Sequence, residues 1–125
     1  MHGKTVKSIT LKIERRPKAK ARPRHNKKGQ VFTPKATTDE EKAIRAAWQQ
    51  AELETLEGPV EVSLTYTPEC SIITVQESPH DATTLRGDID NYVKLTLDAL
   101  NGTAWVDDKQ VVRISAVKVN KIDSD

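Results

Sequence analysis

Four acids stand out by type and spacing: Asp88, Asp90, Asp107 and Asp108. Asp88 and Asp90 flank Ile89 at the mouth of a helical pattern. In an extended segment, residues two apart share a face, so both carboxylates can reach one spot while Ile89 points inward. Asp107 and Asp108 follow the same helical pattern and lead into an alternating segment. Carboxylates gathered at one point repel unless a cation lies between them. Hard oxygen donors with no His or Cys beside them favour Mg²⁺ or Mn²⁺ over zinc. Two structural readings compete: Asp90 as a plain helix N-cap, and Asp107-Asp108 as an exposed turn. Lys94, four residues after Asp90, shares a helix face with it. It is either a surface ion pair worth about 0.2–0.5 kcal/mol or an ammonium set beside a reacting phosphate.

Other chemistries are poorly supplied. His2, His25, His80 and Cys70 are scattered without metal-ligand spacing. No serine sits in a nucleophile-elbow pattern, and no Gly-rich phosphate loop is present. His80-Asp81 reads as an exposed loop pair. A single cysteine excludes an internal disulfide and a multi-cysteine zinc site.

Charge supplies a second clue. The chain has 125 residues and a formal net charge of +2. From Arg15 to Lys28 there are eight Lys/Arg and no acid, which leaves the rest at −6. A basic arm on an acidic body suits a polyanionic partner, and the alternative is a solvated surface hairpin. A nuclease accounts for both halves: the arm holds phosphates, and the acids hold the metal that helps to cut one. The length suits one domain, and 36% hydrophobic with 30% charged residues is a soluble globular balance. The lack of a spanning run or an apolar leader, with the cysteine usage, leads to the expectation of a cytoplasmic protein. Five aromatic residues are too few for a single-strand stacking platform.

The elements that must position these residues follow from periodicity. Ile9, Leu11 and Ile13 alternate with polar residues, which predicts a strand over about 5–14. Two prolines keep the basic stretch out of a central strand, and Asn26 to Gly29 is a turn candidate, so an arm ending in a short hairpin is expected. Thr38 with Glu41 fits a capping box, and Ile44, Ala47, Trp48 and Ala51 continue a helix over about 38–57. Val60, Val62, Leu64 and Tyr66 mark a second strand. Residues 71–75 are either a third strand or an apolar plug under a loop. Ile89, Val93, Leu97 and Leu100 mark a second helix over about 90–100, stopped by Asn101-Gly102. A last strand is expected over about 111–119. The fold class is α+β: one domain with a small mixed sheet, two helices packed on one face, and a basic N-terminal hairpin arm.

The acids lie in a longer pattern. Arg86-Gly87-Asp88-Ile89-Asp90-Asn91-Tyr92-Val93-Lys94-Leu95, then Leu97-Asp98-Ala99-Leu100-Asn101-Gly102, then Trp105-Val106-Asp107-Asp108-Lys109-Gln110-Val111 closely resembles the signature of the RusA family of Holliday junction resolvases. These are small endodeoxyribonucleases of bacteria, prophages and phages. Pro17 to Arg24 and Val31-Phe32-Thr33-Pro34-Lys35 also look like phage-borne members. The resemblance implies a homodimer that binds four-way DNA junctions and nicks two strands symmetrically with Mg²⁺, Mn²⁺ being a substitute, in DNA recombination and repair. Asp88, Asp90 and Asp108 match the family's catalytic, metal-binding aspartates, and Lys94 matches its essential lysine. Asp107 matches the acid preceding the third and is the weaker metal candidate. Asn91 and Asp98 fall within the motif as supports for the helix.

The residues assigned to DNA-backbone binding are Arg15, Arg16, Lys18, Lys20, Arg22, Arg24, Lys27, Lys28 and Arg86. Many members carry a basic residue immediately before the first catalytic aspartate, where this chain has Gly87, with Arg86 one step back. The alternatives are a non-catalytic junction- or DNA-binding protein, and a nuclease for flaps or single strands.

Overall fold

The computed structural model describes residues 7–20, 24–52 and 54–122, without the side chains of Arg24 and His25. Arg22 and His2 therefore lie outside the described residues, as does the start of the first predicted strand. The chain divides into two compact units, 1–79 and 80–125.

The first unit holds a three-stranded sheet and a helix. Strand β1 (Ser8–Ile13) has the expected alternation, with Ile9, Leu11 and Ile13 half-buried. A two-residue hairpin follows, β2 (Arg24–His25) against β3 (Val31–Phe32). Asn26 builds its tip, since Oδ1 accepts from the backbone N–H of Lys28 and of Gln30, each at 2.9 Å. Gly29 turns the chain with φ of +78°, a conformation that costs a glycine little.

Helix α1 (Lys35–Gln50) begins earlier than periodicity predicts. Pro34 occupies the N-cap, and Thr38 lies inside the helix with its hydroxyl donating to the Lys35 carbonyl at 2.9 Å. The predicted capping box therefore does not form, because the helix starts before its threonine. The C-terminal end is also earlier than predicted, at Ala51, followed by Glu52 with φ of +55°.

Strands β4 (Val60–Tyr66) and β5 (Ser71–Glu77) complete the sheet. Its order is β1-β5-β4, and both pairings are antiparallel, so the described sheet is antiparallel rather than mixed. The ambiguous 71–75 segment is the central strand. Leu11 and Leu64 both oppose Ile73, and Ile9 and Val62 both oppose Val75. Those residues therefore share one apolar face. Ile44 and Trp48 of α1 line a groove with Leu11, Ile73 and Val75, so the helix lies over the β1 and β5 part of that face. The opposite face is polar apart from Ile72, and the Thr10 and Thr74 hydroxyls meet there at 2.9 Å.

The second unit centres on α2 (Ile89–Leu100), within a residue of its predicted bounds. A single 3₁₀ turn (Asp108–Gln110) follows. The predicted final strand is not formed: residues 111–119 carry no strand assignment. Alternating residues favour an extended backbone, but a strand also needs a neighbouring edge to bond. The α+β class stands. Among the described residues, no helix is long and apolar enough to cross a membrane.

Candidate active site

Helix α2 sets the spacing of the site. Its N-cap is Asp88, with extended backbone (φ −67°, ψ 143°), and Asp90 lies in the first turn. The Asp88 side chain makes no capping bond; only its carbonyl is used, accepting from the Asn91 N–H at 3.0 Å. So neither carboxylate is consumed by the helix start, and the reading of Asp90 as a plain N-cap fails. Both acids still sit at the positive end of the helix dipole, which favours negative charge there.

The peptide entering Asp88 is held from two sides. The Gly87 N–H donates to the Tyr92 hydroxyl at 3.2 Å, and the Lys118 ammonium donates to the Gly87 carbonyl at 2.9 Å. A Cβ at position 87 would lie 2.8 Å from Cε2 of Tyr92. The glycine thus lets the Tyr92 ring approach the backbone closely, and a larger residue would displace the ring. Lys118 also brings a positive charge to the backbone at position 87, where the sequence has no basic side chain. Nearby, the Thr84 N–H donates to Asn120 Oδ1 at 2.9 Å, a second tie between this loop and the C-terminal segment.

The other end of α2 positions the second acid pair. Gly102, with φ of +79°, stops the helix as predicted, and its N–H donates to the Trp105 carbonyl at 2.8 Å. The chain then enters the 3₁₀ turn, whose N-cap is Asp107. Asp107 Oδ2 accepts from the Lys109 N–H at 3.0 Å, while Gln110 Oε1 accepts from the N–H groups of Val106 and Asp107 at 2.7 and 2.9 Å. This reciprocal cap uses the Asp107 carboxylate. Asp108 instead accepts from the Trp105 indole N–H, Nε1 to Oδ1 at 2.8 Å.

Asp90 and Asp108 both line an open hollow, together with Ile89, Val93, Lys94, Leu97, Asp98 and Ala116. Asp88 and Asp107 are not among its lining residues. Lys94 pairs with Asp98, Nζ to Oδ2 at 3.1 Å, and not with Asp90. Among the described residues, no three His, Cys, Asp or Glu are grouped closely enough to enclose a metal ion. With Asp98 engaged by Lys94, the Asp90 and Asp108 carboxylates still fit Mg²⁺ by donor chemistry. That ion keeps several waters and is commonly held by one or two carboxylates together with substrate phosphate oxygens.

The basic arm belongs to the first unit, and part of it is tied down. Arg15 bonds Glu40 at 3.0 Å, and Lys20 bonds Glu41 at 3.2 Å, both on α1. Arg16, Lys18, Lys27, Lys28 and Arg86 are exposed. Arg24 falls on β2, and its side chain is not described.

Sequence reasoning did not assign Tyr92, Trp105 or Lys118 to the site. A tryptophan three residues before a candidate ligand is the one legible signal, because a sheltered indole N–H usually needs an acceptor. Comparison with curated proteins and with solved structures finds no match. The family described as Endodeoxyribonuclease RusA matches residues 14–124, which take in the arm, the whole of α2 and both acid pairs. With nearly the full length covered, the chain belongs to the RusA endodeoxyribonuclease family and is a DNA-cleaving enzyme.

Proposed function

We propose that the protein is a Mg²⁺-dependent resolvase of four-way DNA junctions, acting as a homodimer in recombination and repair. The observation that carries this reading is the placement of Asp90 and Asp108 on one hollow with Lys94 at its wall. They come from different elements, and α2 with its terminal turn joins them.

Asp90 and Asp108 would hold the divalent cation; Asp88, whose carboxylate is not taken by capping, lies outside the lining of the hollow and is the third acid of the family pattern. When bound, that ion supplies Lewis-acid polarisation of the scissile phosphate and a water nucleophile at neutral pH. Lys94 sits one helical turn after Asp90, where its ammonium can stabilise charge as it builds on the phosphate oxygens. In the structure that ammonium pairs with Asp98 at 3.1 Å. Arg16, Lys18, Lys27, Lys28 and Arg86 bind the DNA backbone. Such contacts position the duplex without reading its bases. A two-fold dimer matches the near two-fold symmetry of a junction and accounts for paired nicks.

The test compares four-way junction, flap, single strand and plain duplex, with Mg²⁺, Mn²⁺ or EDTA. Paired symmetrical nicks in the junction, abolished by EDTA, are expected. Preferential cutting of flaps or single strands would replace the junction assignment, and binding without cleavage in either metal would make the protein a non-catalytic DNA binder.

A further inference from the structure

The Trp105–Asp108 hydrogen bond is built on both sides. The Trp105 carbonyl is tied to Gly102, and the residues between, Thr103 and Ala104, both donate to the Leu100 carbonyl at 2.9 and 2.8 Å. The indole is thus carried on the end of α2. Asp108 opens a 3₁₀ turn that the Asp107–Gln110 cap stabilises. Both residues are half-buried, so water competes less for the bond than it would at an open surface. Trp105 Nε1 is bound to Oδ1 at 2.8 Å, whereas Oδ2 makes no hydrogen bond among the described residues.

We propose that Trp105 is a positioning residue that biases Asp108 toward one-oxygen binding and thereby sets the metal preference of the hollow. This rests on the reading of the hollow as a cation site. With one lone pair of Oδ1 taken by the indole and the carboxylate held by the ring, Oδ2 is the oxygen more open to a cation. Mg²⁺ demands near-ideal octahedral geometry at about 2.0–2.1 Å, which single-oxygen carboxylate ligands satisfy. Ca²⁺ is larger and accepts carboxylates through both oxygens at about 2.3–2.6 Å. A bond that biases the carboxylate toward one-oxygen binding therefore favours the smaller ion. Partners that orient a metal ligand commonly change metal affinity by about 10–100-fold when removed.

The test uses the intact protein without DNA. Mg²⁺ and Ca²⁺ are titrated separately, and binding is followed by NMR shifts of the α2 and 100–111 backbone resonances. Trp105→Phe keeps an aromatic ring but removes the N–H. It is expected to weaken Mg²⁺ binding by about 10-fold or more and to leave Ca²⁺ binding unchanged or stronger, so that the preference for Mg²⁺ over Ca²⁺ falls. A merely structural tryptophan would weaken both ions alike. Equal loss for both ions, or no loss for either, overturns the role of Trp105 and leaves the cation site standing. An absence of Mg²⁺-dependent shifts in the unmodified protein overturns the cation site itself, and the inference with it. A second measurement needs no Trp105 variant. The Trp105 indole N–H should exchange slowly, and Asp108→Asn should shift its resonance while leaving that of Trp48, which lies on α1, in place. An indole resonance indifferent to Asp108→Asn overturns the proposal.

Discussion

Lys94 lies 3.1 Å from Asp98 and does not pair with Asp90, although both acids are four residues from it along α2. The ion pair is exposed, so its stability contribution is small, about 0.3–0.5 kcal/mol for helix pairs of this spacing. Lys94→Ala is therefore expected to leave the melting temperature almost unchanged. If its ammonium stabilises the transition state, single-turnover cleavage of a saturating junction should fall by about 10²-fold or more, with binding affected much less. A rate loss that tracks a loss of melting temperature would return Lys94 to a structural role.

The two neighbouring acids should separate cleanly. Asp108→Asn is expected to abolish cleavage while junction binding persists, as are Asp88→Asn and Asp90→Asn. Asp107→Asn should keep much of its activity and change stability little, because the Asn oxygen can still accept the Lys109 N–H. Rate and melting measurements on the four variants check this, and full activity in Asp88→Asn, Asp90→Asn or Asp108→Asn removes that residue from the site.

Gly87 and Tyr92 form a testable steric pair. Gly87→Ala places a Cβ 2.8 Å from the Tyr92 ring, and the ring must move. Because Tyr92 is 41% exposed and its ring can swing aside, the stability cost should be small, about 1 kcal/mol or less. Shifting the peptide that precedes Asp88 should lower the cleavage rate as well. Adding Tyr92→Ala should recover part of the Gly87→Ala stability loss, because the two residues touch and their effects are coupled. Strictly additive melting shifts would contradict the steric account.

The arm should show two kinds of basic residue. Arg15 and Lys20 are paired to α1, whereas Lys27 and Lys28 are exposed beside the hairpin turn. Removing one cation from a phosphate lowers the slope of log K against log salt by about 0.9 for duplex DNA. Replacing Lys27 and Lys28 with alanine is expected to weaken binding to all DNAs and flatten that slope. Replacing Arg15 and Lys20 should change the slope less and the stability of the first unit more. Binding titrations at several salt concentrations test both, and an unchanged slope in the Lys27/Lys28 variant would make the hairpin a solvated surface feature.

Much of this protein was legible in the order of its residues, because the relevant signals are local. The apolar positions of α2 recur at helical spacing and Gly102 stops it, so its bounds were readable within a residue. Strand alternation located β1 and β4, and Asn26 to Gly29 announced the hairpin. The segregation of charge was visible by counting, and the acid pattern carried the family.

Tertiary structure decided what depends on partners distant along the chain or on backbone direction. Periodicity did not show that Ser71–Glu77 is the central strand, since an apolar run looks the same in a sheet or under a loop until two edges bond it. Nor did alternation reveal that 111–119 lacks a ladder, because an extended backbone and a paired strand share one sequence signal. Asp107 and Asp108 are chemically identical neighbours. One caps a turn and the other meets Trp105 because consecutive side chains leave the backbone in different directions. Lys94 was equally spaced between two acids, and side-chain geometry chose Asp98. Helical spacing determines which groups are within reach, while the folded backbone and its packing determine which of them meet.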